Sequence, residues 1–226
     1  MAGIEAIAME FCGRGGKRLR PRLCMAAYRA ALSTTHNQQP PNARIEDLCE
    51  AVECFHKASL IHDDIQDCDE ERYGRPTVWK EHGVAVAIAA GDWLVAHGYE
   101  SIVNSGFSNA LDMLKSTVTS HVALCEGQGD DLLGVQPETF DIQHYLSICE
   151  RKTGEAFALA AELGALAAGV DGAPYRQYGL DFGILFQVRD DLADGDSPGA
   201  TPELAEELAR KLEATAIAQS IGPWYC

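Results

Sequence analysis

Apolar positions along the chain recur at helical rather than strand spacing, in long segments divided by breaker-rich joints. Residues 1–12 carry one apolar stripe that stops at Gly13, Gly15 and Gly16. Residues 21–33 form the next helix, with Pro21 suited to its first turn. Thr34 to Asn42, with Pro40-Pro41, is a loop. Over 44–67, Leu48, Val52, Phe55, Ser59 and Ile61 fall near helical spacing. Cys68 to Glu81, with Gly74 and Pro76, reads as a polar connection. Residues 83–104 are apolar nearly all round, which predicts a buried helix. Further helices are expected over 108–133, over 138–168 with a break near Thr153-Gly154, and over 174–194. Gly195 to Ala200 is a joint, and Thr201-Pro202-Glu203 opens a last helix whose stripe is Leu204, Leu208 and Leu212. No convincing strand series emerges. The pattern predicts an all-α fold, an antiparallel bundle of about eight to ten helices around a deep apolar cavity.

Two runs interrupt this apolar pattern in the same way. His62-Asp63-Asp64-Ile65-Gln66-Asp67 and Asp190-Asp191-Leu192-Ala193-Asp194 are both D-D-x-x-D at the end of a helical stretch. Residues i and i+4 share a helix face, so Asp63 pairs with Asp67 and Asp190 with Asp194. Paired carboxylates repel unless a cation sits between them. Two such pairs make an all-oxygen site suited to Mg²⁺ and substrate phosphates. A lone D-D-x-x-D is usually a solvated helix end; two matched copies are not.

Charge sharpens that picture. With 18 Lys+Arg against 34 Asp+Glu the formal charge is −16, which argues against a nucleic-acid partner. Gly15-Gly16-Lys17-Arg18-Leu19-Arg20-Pro21 nevertheless packs three cations behind two glycines at a helix start, an arrangement that can take a phosphate. Arg72 and Arg75 follow the first aspartates, and Gln128, Asp131, Lys152 and Thr153 interrupt later apolar helices. Buried polar groups are costly unless satisfied, so these are expected to line a wet cavity. The N-terminus has an early Glu and no basic leader, so it does not read as a signal peptide, and no apolar run is long enough to span a bilayer. The eight cysteines form no C-x-x-C and read as reduced packing residues of a cytosol-like compartment. Cys68 is the one placed for adventitious metal binding or oxidation. His36, His82, His97, His121 and His144 show no ligand spacing. His56 and His62 also fit satisfied core histidines, and Trp79, Trp93 and Trp224 fit packing.

GGKRLRP, HKASLIHDDIQD, R-x-G-R-P-T, GQxxDL, KTG and FQxxDD stand in the order and approximate spacing of the trans-isoprenyl (polyprenyl) diphosphate synthases. The chain resembles that family from about residue 11 to 195. The resemblance implies an isoprenoid-synthase-type bundle, expected as one domain over 1–226, in a cytoplasmic homodimer. It implies Mg²⁺, three ions per site, held by Asp63, Asp64, Asp67, Asp190, Asp191 and Asp194. Lys17, Arg20 and His56 match positions that hold isopentenyl diphosphate. Arg72 matches a contact to the allylic diphosphate. Lys152, Thr153 and Gln187 match groups near the ionising carbon, and Gln128 with Asp131 matches a polar pair of the cavity wall. The implied reaction condenses an allylic prenyl diphosphate with isopentenyl diphosphate. The small residues Ala58 and Ser59 before the first aspartates imply a product of C20 or longer, with Phe55 as a candidate tunnel floor or ordinary core.

Two departures stand out. Tyr73 occupies the place of the family's second arginine, leaving Arg75 and Arg18 as candidates to supply the charge. After Asp194 the family's lysine-containing lid is missing: either the chain lacks it, or those residues are missing from this sequence. A class I terpene cyclase and a non-catalytic prenyl-diphosphate-binding subunit are the competing readings. The complete second aspartate motif and intact GGKRLRP argue against the cyclase, whereas Tyr73 and the absent lid motivate the subunit.

Overall fold

The computed structural model describes residues 3–35, 40, 42–133, 141–195, 199–222 and 224. Among these, eleven α-helices make the fold. They are α1 (Ile4–Cys12), α2 (Leu19–Ser33), α3 (Ile45–Gln66), α4 (Val78–His82), α5 (Val84–Asn104), α6 (Ala110–Leu132), α7 (Ile142–Cys149), α8 (Glu155–Ala167), α9 (Ala173–Asp194), α10 (Pro202–Glu213) and α11 (Ala216–Ile221). Parts of the expected loop over 34–42, of the helix start at 138–140 and of the joint over 195–200, together with His36 and Cys226, lie outside the described residues.

Three apolar clusters hold the bundle. Leu23, Phe157, Tyr178, Phe182 and Trp224 join α2, α8 and α9 to the C-terminal segment. Leu48, Val52, Phe55, Ile102 and Leu163 join α2, α3, α5 and α8. Phe11, Cys54, Ala58, Ile61 and Leu94 join α1, α3 and α5. The approach of α3 to α5 depends on two glycines one heptad apart. A Cβ on Gly98 would lie 2.4 Å from the Phe55 ring, and one on Gly91 would lie 2.2 Å from His62 Nε2. Phe55 is core here, edge-on to Tyr99 and His121 with centroids 5.3 and 4.3 Å away. Ala58 is buried against α1 and α5, whereas Ser59 is exposed.

Three sequence expectations change. The polar connection after Asp67 holds a two-residue hairpin, β1 (Glu71–Arg72) and β2 (Arg75–Pro76), as well as α4. Its turn residues Tyr73 and Gly74 both have positive φ, 56° and 72°, the sign a tight hairpin needs. The break expected near Thr153-Gly154 is instead a π-helical turn, Glu150–Gly154, that runs α7 into α8. The extra residue in the turn lets the chain stay helical while re-aiming Lys152 and Thr153. Burial of α5 is one-sided: Val84, Ile88 and Val103 are about half exposed. On α6 the polarity is inverted, with Thr117 and Ser120 fully buried while Leu111, Val118 and Val122 face outward. The N-cap expected at Thr201 forms at the start of α10, its hydroxyl accepting from the Leu204 amide at 3.2 Å.

Candidate active site

The first aspartate run sits at the C-terminal end of α3, where the helix faces split its three carboxylates. Asp64 is fully buried and accepts from Arg72 Nε at 2.5 Å, with its other oxygen, Oδ2, unpartnered. Asp63 and Asp67 share the other face. Burial pushes Asp63 up to about 6; Lys152 opposes that shift, and Asp67 and Asp64 add to it through repulsion. Asp64 is also raised by burial, against the pull of Arg72.

The second run closes α9. Burial raises Asp190, Lys17 of the glycine loop opposes the shift, and Asp194 and Asp191 reinforce it. Asp191 turns to protein partners, accepting from Tyr145 Oη at 2.6 Å and Gln187 Nε2 at 2.7 Å. Gln187 Oε1 in turn accepts from Thr153 Oγ1 at 2.6 Å, so the π turn and α9 are linked at this point. Lys152 Nζ donates to Asp131 on α6 at 2.6 Å, and Arg151 pairs with Asp130. Gln128 Nε2 donates to Gln66 Oε1 at 2.8 Å and ties α6 to the end of α3.

Between the two runs lies a cation-rich wall. Arg20 stands with its guanidinium carbon 4.5 Å from the Phe157 ring centroid; burial lowers its pKa to about 10, against the pull of Glu53 and Tyr73. Its Nε is buried without a hydrogen-bond partner. His56 is held well below its ordinary value by burial and by the charges of Arg20, Lys57 and Arg72. A neutral imidazole amid three cations, beside an unpartnered guanidinium nitrogen, suits a bound anion. Arg75 is engaged elsewhere, with Glu10 at 2.5 Å, and Arg18 serves as the left-handed N-cap of α2.

Two residues here escape a reading of the sequence. Lys57 is 1% exposed and donates to the carbonyls of Arg14 and Gly15 at 2.5 and 3.2 Å. Its ammonium lies over the Tyr73 ring. Lys57 stands within HKASLIHDDIQD, but that motif attaches no role to it. Gly15 is held at φ +39°, and a Cβ there would lie 2.8 Å from the Tyr73 ring, so loop and hairpin touch through that glycine. Tyr145 is the second, and nothing in its local sequence announces it.

The donor set fits Mg²⁺. The pairs Asp63–Asp67 and Asp190–Asp194 offer oxygen alone, and their mutual repulsion is what a hard cation would relieve. Among the described residues no three carboxylates of either run converge on one point.

Bundle and charge pattern together place the molecule among isoprenoid synthases by fold. An isoprenoid synthase family member from Thermotoga neapolitana superposes with a TM-score of 0.83 at 24% identity, over 96% of this chain and 86% of that one. A geranyltransferase from Helicobacter pylori, solved with magnesium and isoprenyl diphosphate, superposes at 0.77 and 23% identity over 97% and 81%. Residues 2–201 match the polyprenyl synthetase family model, and the chain belongs to that family. A geranylfarnesyl diphosphate synthase of Natronomonas pharaonis is 36% identical over 201 residues, 81% of this chain and 58% of its own length. The chain spans about half the length of the curated relatives it matches. No helix among the described residues is long and apolar enough to cross a membrane.

Proposed function

We propose that the chain is a Mg²⁺-dependent prenyltransferase that condenses an allylic prenyl diphosphate with isopentenyl diphosphate head-to-tail. Its product is C20 or longer, in keeping with the geranylgeranyl and geranylfarnesyl synthases among its relatives. The observation that carries this reading is that each aspartate run has a lysine of its own, with a further group of cations beside them. Lys152 faces Asp63 at one helix end. Lys17 faces Asp190 at the other. Arg20, Lys57 and Arg72, set around the neutral His56, supply a further cationic wall.

Up to three Mg²⁺ ions would be held by Asp63, Asp64, Asp67, Asp190, Asp191 and Asp194, and supply Lewis-acid stabilisation of the departing diphosphate. Arg72 and Lys152 hold the allylic diphosphate. Thr153 and Gln187, hydrogen-bonded to each other, stand near the carbon that ionises. Lys17, Arg20 and His56 seat isopentenyl diphosphate, with Lys57 charging the wall beside Tyr73. The double bond of isopentenyl diphosphate attacks the allylic carbon as the carbon–oxygen bond breaks, and the released diphosphate takes the proton lost afterwards. No protein nucleophile is needed. Residues 1–226 act as one isoprenyl diphosphate synthase-like domain in the cytoplasm, and the growing tail runs in an apolar tunnel within the bundle. The outward Val84, Ile88, Leu111, Val118 and Val122 of α5 and α6 meet a second copy in a homodimer.

The test is product analysis. The chain is incubated with Mg²⁺, labelled isopentenyl diphosphate and C5, C10, C15 or C20 allylic primers, and the dephosphorylated prenols are sized. A ladder ending at C20 or above is expected. Hydrocarbon or alcohol products from a single prenyl diphosphate would replace this reading with a cyclase, and turnover only with an added partner chain would replace it with a subunit.

A further inference from the structure

We propose that Glu50, Cys54 and His97 form a site for one divalent transition metal of the zinc type, set between α3 and α5 and separate from both aspartate runs. Glu50 and Cys54 stand four residues apart on one face of α3, and His97 meets them from α5. The three donor atoms lie within 4.8 Å of one another. His97 Nε2 is 3.5 Å from Glu50 Oε1. Zinc bonds of about 2.0–2.3 Å in tetrahedral array require donor separations of about 3.4–3.8 Å, so the set needs to close by about an ångström at its widest pair.

The surroundings are those of a held ligand. His97 Nδ1 lies 3.3 Å from Glu100 Oε2, the carboxylate–imidazole contact that fixes the tautomer and turns the other nitrogen's lone pair outward. That lone pair then faces the Glu50 carboxylate, an arrangement that asks for a cation between them. Trp93 stacks on the imidazole at 4.8 Å and 18° and holds its plane. The adjacent Phe55–Gly98 contact sets the helix separation. Trp93, Ala96, His97 and Glu100 border an open recess of about 240 Å³, so the imidazole side of the cluster opens to solvent. A thiol, an imidazole and one carboxylate select a borderline-soft ion, whereas the aspartates select a hard one. Cys12 Sγ, 4.0 Å from Cys54 Sγ, lies outside the three-ligand set. The ligands come from two helices, so no sequence spacing reveals them.

The experiment titrates Co²⁺ into reduced, metal-free chain with Mg²⁺ in excess to occupy the aspartates. One Co²⁺ per chain is expected, with a thiolate-to-cobalt charge-transfer band, quenching of tryptophan fluorescence and displacement by Zn²⁺. Cys54→Ser abolishes the band, and Glu100→Gln weakens binding about 10-fold or more. If Cys54→Ser does not fold, the half-exposed His97→Gln decides, with a loss of at least about 10-fold expected. Cys12→Ser keeps the band. The proposal is overturned by the absence of the band, by its survival in Cys54→Ser, by undiminished binding in His97→Gln, or by its loss in Cys12→Ser, which would make the cysteine pair the site.

Discussion

The Lys57 ammonium lies 4.4 Å from the centroid of the Tyr73 ring, packed between the glycine loop that opens α2 and the hairpin that follows α3. One cation thereby anchors the loop through two backbone carbonyls and places a positive charge beside Tyr73. Lys57→Met keeps the apolar stem but leaves both carbonyls without their donor. Stability is expected to fall by about 1–3 kcal/mol, and KM for isopentenyl diphosphate to rise at least about tenfold. Tyr73→Phe retains the ring face and should change KM little. Thermal melts and steady-state kinetics of both variants check the pair; an unchanged KM in Lys57→Met would remove it from the site.

The folded chain holds the Asp63 proton up to about pH 6, against an ordinary value of 3.8. Between those values the native state binds more protons than the unfolded chain, so stability without divalent cation declines as pH rises through about 6. Asp64 and Asp190 shift in the same direction. In EDTA, the melting temperature of Asp63→Asn should drop less than that of the wild type between about pH 5 and 7.5. Equal drops would mean that Asp63 is not the strained carboxylate.

Gly98 and Gly91 test how tightly α3 must approach α5. At Gly98 an added methyl meets the Phe55 ring, itself wedged by Tyr99 and His121. Gly98→Ala should cost about 1–3 kcal/mol. At Gly91 the methyl meets the end of the half-exposed His62 side chain, which can swing away. Gly91→Ala should cost less. Chemical denaturation of the two variants gives the order directly, and a reversed order would contradict the packing described here.

Tyr145 acts on Asp191 rather than on substrate. Its phenol O–H donates to that carboxylate, and burial together with this acceptor raises the phenol well above its ordinary value. Tyr145→Phe removes one of the two donors that orient Asp191, and kcat/KM should fall about tenfold, the equivalent of about 1.4 kcal/mol. A fall confined to KM for isopentenyl diphosphate would place Tyr145 at the other substrate instead.

The helices were legible because each long one carries its own stripe, and the cap at Thr201 was legible because it is local. The hairpin was not, since two paired residues leave no alternation to see. The outward apolar face of α5 was misread as core because sequence records hydrophobicity without recording what stands opposite it. Asp63, Asp190, Lys152 and Gln187 were singled out through repeated, ordered motifs. Lys57, Tyr145 and the Glu50–Cys54–His97 cluster were not, because each depends on a partner brought from another helix.

The most direct test follows elongation of a labelled allylic primer against Mg²⁺ concentration in the wild type, Asp63→Asn and Asp190→Asn. No longer prenol is expected in EDTA, with saturable product on adding Mg²⁺ to the wild type and a loss of at least about 100-fold in either variant. Elongation that proceeds in EDTA, or that survives undiminished in both variants, would contradict the proposed Mg²⁺-dependent transfer.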